Sequence, residues 1–334
     1  MSFKDVIGHI RPIELLQRAI LNDKVVHSYL FLGNEGIGKR WVALQFAKAL
    51  NCLERRGEES DACDRCLSCR KIDDELHPDV LLLKPEGPGQ MIKVDRVRQM
   101  QRDLAYRPYE GKRRVCILTA ADRMAPEIPN TLLKTLEEPP LHTMIILLAN
   151  SSRQILPTIL SRCQQIHFNP VPLSDFIKWL TEKKGFNEEE AHLLASLSEG
   201  SPGKALQLKE GIDQVQREDL LKGWLGMKTF SFEEIEIWIE SMPVEDLESL
   251  FLILEVAKTL LRDLVVMKVL GDASKLIHSD LFREMEVLAS KHSLPSLMSR
   301  LESIHRTILS LIPDPRKPNT KLALEAMMLS WAEG

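Results

Sequence analysis

The chain has 334 residues, 44% of them hydrophobic and 28% charged, with a formal net charge of -4. That describes an ordinary globular protein long enough for two or three domains, and it gives no global electrostatic case for binding nucleic acid. No apolar run approaches the roughly 18 residues that cross a bilayer, and Met1 to Asp5 lacks the charged-then-apolar layout of a signal peptide, so a cytoplasmic location is expected.

Along the chain, Ile13, Leu16, Ala19 and Ile20 recur at helical spacing and predict a helix over 10–20. A short apolar run, Tyr29 to Leu32, then predicts a strand that feeds into Gly33-Asn34-Glu35-Gly36-Ile37-Gly38-Lys39-Arg40. The pattern G-x-x-x-x-G-K-[ST] closes backbone N–H groups around phosphates, reaches the terminal ones with Lys, and holds Mg²⁺ with a hydroxyl. Here Arg40 stands at the hydroxyl position, and a guanidinium cannot ligate a cation. A helix over 39–50 follows, buried through Val42, Ala43, Phe46, Ala47 and Leu50. Strand, loop and helix together are the setting a phosphate loop requires. Gly33, Gly36, Gly38 and Lys39 are therefore its candidate phosphate contacts.

Four of the six cysteines fall between Cys52 and Cys69, as Cys52, Cys63, Cys66 and Cys69. In a reducing compartment this density favours a metal over disulfides, and four thiolates make a closed tetrahedral site, structural and not catalytic, of the kind Zn²⁺ takes. The segment from Arg55 to Asp61 is too polar to pack a core, so a metal would supply its local stability. His77 reads as a loop residue beside Pro78 in preference to a substitute ligand.

Further strands are expected at 80–83, 114–118, 144–148 and 165–168, with a helix near 94–104. Continuous apolar runs separated by helices indicate an α/β fold with a parallel sheet covered on both faces. The third strand should end in an acidic Mg²⁺ partner and a Glu that activates water. Thr119, Ala120 and Ala121 stand there instead, and Asp122 reads as a helix or loop cap in preference to a displaced metal ligand. Two separate losses of the same chemistry argue against hydrolysis, whereas phosphate binding can survive on backbone N–H groups and one ammonium. Arg96, Arg98 and Lys112-Arg113-Arg114 are the basic candidates for DNA contact, with a solvated face as the plainer reading.

Three short helices are expected over 173–184, 187–197 and 202–209, punctuated by Gly185 and Gly200. Ser201-Pro202 suits a helix start, and Lys204 just beyond it is a candidate phosphate contact. From Ile212 onward the pattern is helical, with long runs at 247–270 and 294–311. Three domains are expected: a P-loop domain over 1–170 carrying the cysteine module at 52–69, a small helical lid over 171–211, and an all-helical oligomerisation domain, or collar, over 212–334.

Val6 to His9, His27 to Phe31, the loop Gly33 to Lys39, the cysteine module, Asn130 to Pro140 and Leu156 to Cys163 together resemble clamp-loader subunits of the AAA+ class, the delta-prime group of bacterial DNA polymerase III above all. The likeness is specific over residues 1 to about 210; beyond, only the helical character matches. It implies a hetero-oligomeric ring with gamma or tau ATPase subunits and a delta subunit, which loads the beta sliding clamp onto primed DNA. In such a ring this subunit is a fixed partner for the ATPases, with ATP or ADP binding open and hydrolysis not expected. The resemblance further implies that Arg162 of Ser161-Arg162-Cys163 reaches a neighbour's ATP as an arginine finger. From the residues alone Arg162 is a surface ion-pairing residue, and Cys163 is buried packing. An active AAA+ ATPase and a zinc-dependent DNA-binding module are the alternative readings.

Overall fold

The computed structural model describes residues 2–55, 59–85, 92–125, 127–212, 217–223, 225, 231–311 and 319–332. The chain divides into two compact units, Met1–Phe176 with Gly200–Lys204, and Ile177–Glu199 with Ala205–Gly334.

In the first unit β1 (Ser28–Leu32), β2 (Val80–Leu83), β3 (Arg114–Leu118), β4 (Thr143–Ala149) and β5 (Gln164–His167) form one sheet in the order β2-β3-β4-β1-β5. All four pairings are parallel. The helices α1 (Ile10–Leu21), α2 (Lys39–Asn51), α3 (Leu67–Asp73), α4 (Val94–Leu104), α5 (Ile128–Glu137) and α6 (Pro157–Leu160) belong to the same unit. Because successive strand side chains point to opposite faces, Tyr29 and Phe31 enter one core with α1 and α2. Leu30 and Leu32 enter the other with α4 and α5. Both faces are covered, as the unbroken apolar strands require. The fifth strand ends one residue earlier than its apolar run, since Phe168 leaves the ladder after its N–H bonds Leu32 O at 2.7 Å.

Two buried polar side chains order the long connection before β3. The Asp79 carboxylate accepts the N–H groups of Tyr109, Glu110 and Gly111 at 2.8–2.9 Å. Asn51 Oδ1 accepts those of Lys112 and Arg113, each at 2.9 Å. These contacts satisfy backbone donors that have no strand partner.

The second unit contains most of α7 (Leu173–Lys184) and α9 (Pro202–Ile212), with α8 (Glu188–Leu197), α10 (Arg217–Lys222), α11 (Phe232–Ser241), α12 (Leu247–Leu270), α13 (Phe282–Lys291), α14 (Leu294–Leu311) and α15 (Thr320–Ala332). Asn187 and Ser231 start α8 and α11 with reciprocal capping boxes to Glu190 and Glu234. The core is built on α12, through Leu250, Leu254, Ala257, Leu261 and Leu264, at helical spacing. A polar network is buried with it: Asp263 Oδ2 accepts the N–H groups of Ile277 and His278, both at 2.8 Å. His278 Nε2 meets Thr259 Oγ1 at 2.9 Å, and burial holds this imidazole down at about 3.

Candidate functional site

The glycine loop lies between β1 and α2, at the C-terminal end of a strand flanked by β4 and β5, where α/β sheets place their ligands. Gly36 and Gly38 have φ of 72° and 107°, a region that side chains resist, so the turn depends on glycine. The loop is held from three sides. His9 lies 2.7 Å from Ile37 O through Nε2, and acting as donor there requires that nitrogen to carry the proton. Ser201 Oγ donates to Glu35 O at 2.8 Å, and Gly203 N to Gly36 O at 2.8 Å. There is no room for a side chain at this last contact: a Cβ on Gly203 would stand 2.8 Å from Gly36 O.

Lys39 turns its ammonium inward. It donates to Gly33 O, to Asn34 O at 2.8 Å and to Asn150 Oδ1 at 3.1 Å. Burial pushes its pKa down to about 8, against the opposing pull of Asp122 and Glu35. Asp122 caps a loop and not a helix: its Oδ2 accepts Asn150 N at 2.9 Å, which fixes the residue just after β4. Its Oδ1 is buried without a hydrogen-bond partner among the described residues. Ser201 likewise uses its hydroxyl on the glycine loop, with Pro202 opening α9 beside it. Lys204 stands in the same segment, half-buried, with its backbone N 2.8 Å from where a Cβ on Gly36 would lie.

The positions that would manage Mg²⁺ are engaged otherwise. Arg40 pairs with Glu75, which also binds Lys84 at 2.7 Å. Thr119 Oγ1 donates to Leu83 O at 3.1 Å. Ala120 turns through a left-handed φ of 53° into a short 3-10 turn.

At the far end of α2 the four cysteines converge, their sulfurs all within 4.8 Å of one another. Sγ separations are 3.9 Å for Cys52 and Cys66, 4.0 Å for Cys63 and Cys69, and 3.4 Å for Cys66 and Cys69. A tetrahedral ion with bonds of about 2.3 Å sets such separations near 3.8 Å. The N–H groups of Cys63, Cys66 and Cys69 point at Sγ atoms at 3.3–3.5 Å, an arrangement that favours thiolates. The residues fit a structural metal held by Cys52, Cys63, Cys66 and Cys69, consistent with zinc. His77 stays outside the cluster and accepts Asp79 N at 3.1 Å. Lys48, fully buried on α2, binds Asp64 at 2.5 Å and Asp73 at 2.8 Å, on either side of the Cys66–Cys69 turn. Burial works against its charge, but the two carboxylates prevail and raise its pKa.

Arg162 lies before β5, its backbone C=O accepting Ser28 Oγ at 2.6 Å. Its guanidinium meets Glu137 at 2.6 Å. Cys163 is buried and its thiol is pushed up to about 11 by burial. Of the basic candidates, Arg114 is withdrawn from solvent, since it is the first residue of β3 and pairs with Asp79 at 3.0 Å.

A five-stranded parallel sheet, with a glycine-rich phosphate loop after β1 and helices on both faces, has the architecture of a P-loop domain. Residues 8–172 match the family model described as DNA polymerase III, delta subunit. DNA polymerase III subunit delta' of Bacillus subtilis (strain 168) is 27% identical over 325 residues, covering 95% of this chain and 93% of that one. The delta' subunit of Pseudomonas aeruginosa (strain PAO1) is 35% identical over 199 residues, covering 59% and 60%. DNA polymerase III subunit tau of Escherichia coli (strain K12) is 32% identical over 216 residues, covering 63% and 32%. These similarities support a clamp-loader subunit of the AAA+ class, close to delta'.

Proposed function

We propose that this chain is a non-hydrolytic delta'-like subunit of the bacterial DNA polymerase III clamp loader. It assists ATP-dependent loading of the beta sliding clamp onto primed DNA and supplies Arg162 in trans to a neighbouring gamma or tau ATPase. The observation that carries this reading is the fate of the Mg²⁺ positions: Arg40 is engaged with Glu75, and Thr119 with Leu83 O. Neither site offers an anionic or hydroxyl ligand free to hold a cation next to a bound phosphate. Lys39, turned to Gly33 O, Asn34 O and Asn150, gives the loop an internal partner for its own charge, so nucleotide contact by Gly33, Gly36, Gly38, Lys39 and Lys204 is weak at most. Zinc on the four cysteines is structural. The organisation is a P-loop domain over 1–170, a lid over 171–211 and a collar over 212–334 that joins the hetero-oligomeric ring.

The test is ATP hydrolysis, measured first with the isolated chain and then with the assembled loader. The isolated chain should show no turnover above background. In the loader, Arg162→Ala should slow the ATPase site that faces this chain by about 10³-fold or more, the range of an arginine finger, while assembly stays intact. Unchanged turnover at that site overturns the role of Arg162; hydrolysis by the chain alone, abolished by Lys39→Ala, overturns the non-hydrolytic reading.

A further inference from the structure

We infer that Glu137 is a latch on Arg162, a positioning residue that holds the guanidinium against its own chain until a neighbour's phosphate displaces it. The inference rests on the reading of Arg162 as a group offered in trans. Three contacts define the held state: Arg162 Nη1 donates to Thr158 O at 2.9 Å and to Ser161 Oγ at 3.2 Å, and Nη2 meets Glu137 Oε1 at 2.6 Å. A guanidinium has five N–H donors and no acceptor. The two neutral partners leave its charge uncompensated, so they are compatible with a phosphate as well. The Glu137 carboxylate is different in kind. It occupies an Nη2 donor that a phosphate oxygen would use, and its negative charge repels an approaching phosphate.

The placement of the two residues suits a side-chain swing on a fixed frame. Arg162 N bonds Ile159 O at 3.1 Å, and its C=O accepts Ser28 Oγ at 2.6 Å, which ties the backbone to the start of β1. Glu137 ends α5, six residues before β4 begins at Thr143. Release therefore requires only side-chain torsions. The strength of the latch fits release as well, because the side chains keep 35% and 49% of their exposure, and such pairs are weak and salt-screened.

Single-turnover ATP hydrolysis by the assembled loader tests the latch, with wild type, Glu137→Gln, Arg162→Ala and the double variant compared at low and high salt. Glu137→Gln keeps the size and polarity of a half-exposed side chain while removing its charge. It should speed hydrolysis at the facing site by about two- to fivefold at low salt. That gain should shrink at high salt and vanish in the Arg162→Ala background. A purely structural role for Glu137 would produce neither the salt dependence nor the dependence on Arg162. Hydrolysis that is unchanged or slower in Glu137→Gln, with Arg162→Ala still impaired, overturns the latch and leaves the trans role standing. A gain that persists without Arg162 also overturns it. Arg162→Ala at wild-type speed removes the trans role and the latch together.

Discussion

Lys39 carries its proton at a cost, buried among carbonyl oxygens that solvate it only in part. With its pKa lowered from an ordinary 10.5 to about 8, the unfolded chain binds more protons than the folded one between those values, so stability gained from this residue rises with pH across that window. Urea unfolding from pH 8 to 10.5 should show wild type gaining on Lys39→Met with a slope approaching about 1.4 kcal/mol per pH unit. Parallel curves would mean an ordinary surface lysine. At this scale the sequence conveys chemistry better than pairing. Gly33 to Lys39 announces a phosphate loop because the motif is contiguous. The use of Asp122 on Asn150, or of Asp79 on Arg114, joins residues 28 and 35 positions apart, and no local pattern encodes such a partner. Arg114 for that reason reads as part of a basic run, although the fold buries it. His9 stands in the segment Val6 to His9 that carries part of the resemblance, but nothing in that segment signals that it grips Ile37 O.

Among the described elements, the cysteine module draws little stability from apolar burial around its sulfurs. Its cluster has little beyond Ala62 packed against the cysteines, while Lys48, Asp64 and Asp73 add charge that must stay paired. Purified chain should contain about one zinc ion, as four thiolate ligands close one tetrahedral site. Cys66→Ser should lower zinc content and expose residues 52–73 to limited proteolysis, measured by metal analysis and peptide mapping; full zinc retention in that variant would remove Cys66 from the site. The strands and helices were the most legible elements, because unbroken apolar runs such as Met144 to Leu148 have few other uses. Helix ends were less so: Ser201 has the residue type of a cap, yet its hydroxyl serves Glu35 O, and only the folded chain brings those positions together.

For the molecule as a whole, the two units have separate cores, one assembled on a parallel sheet and the other on α12. The polar network at Asp263 belongs wholly to the second. Asp263→Ala leaves the N–H groups of Ile277 and His278 without their acceptor, at roughly 1–3 kcal/mol each when buried. Calorimetry should resolve two transitions in the wild type and a lowered midpoint for only one in the variant. A single transition in both proteins, lowered as a whole in the variant, would show that the cores unfold as one. Among the described residues no helix is long and apolar enough to cross a membrane.

The first unit is not contiguous in the chain, because Gly200–Lys204 returns to the glycine loop, with Ser201 bonding a carbonyl 166 residues earlier. During synthesis, at about 5–20 residues per second, the ribosome therefore reaches this segment some 10–40 s after starting. Until then Glu35 O and Gly36 O lack those two native partners, so the glycine loop completes its hydrogen bonds only after the whole sheet has been synthesised.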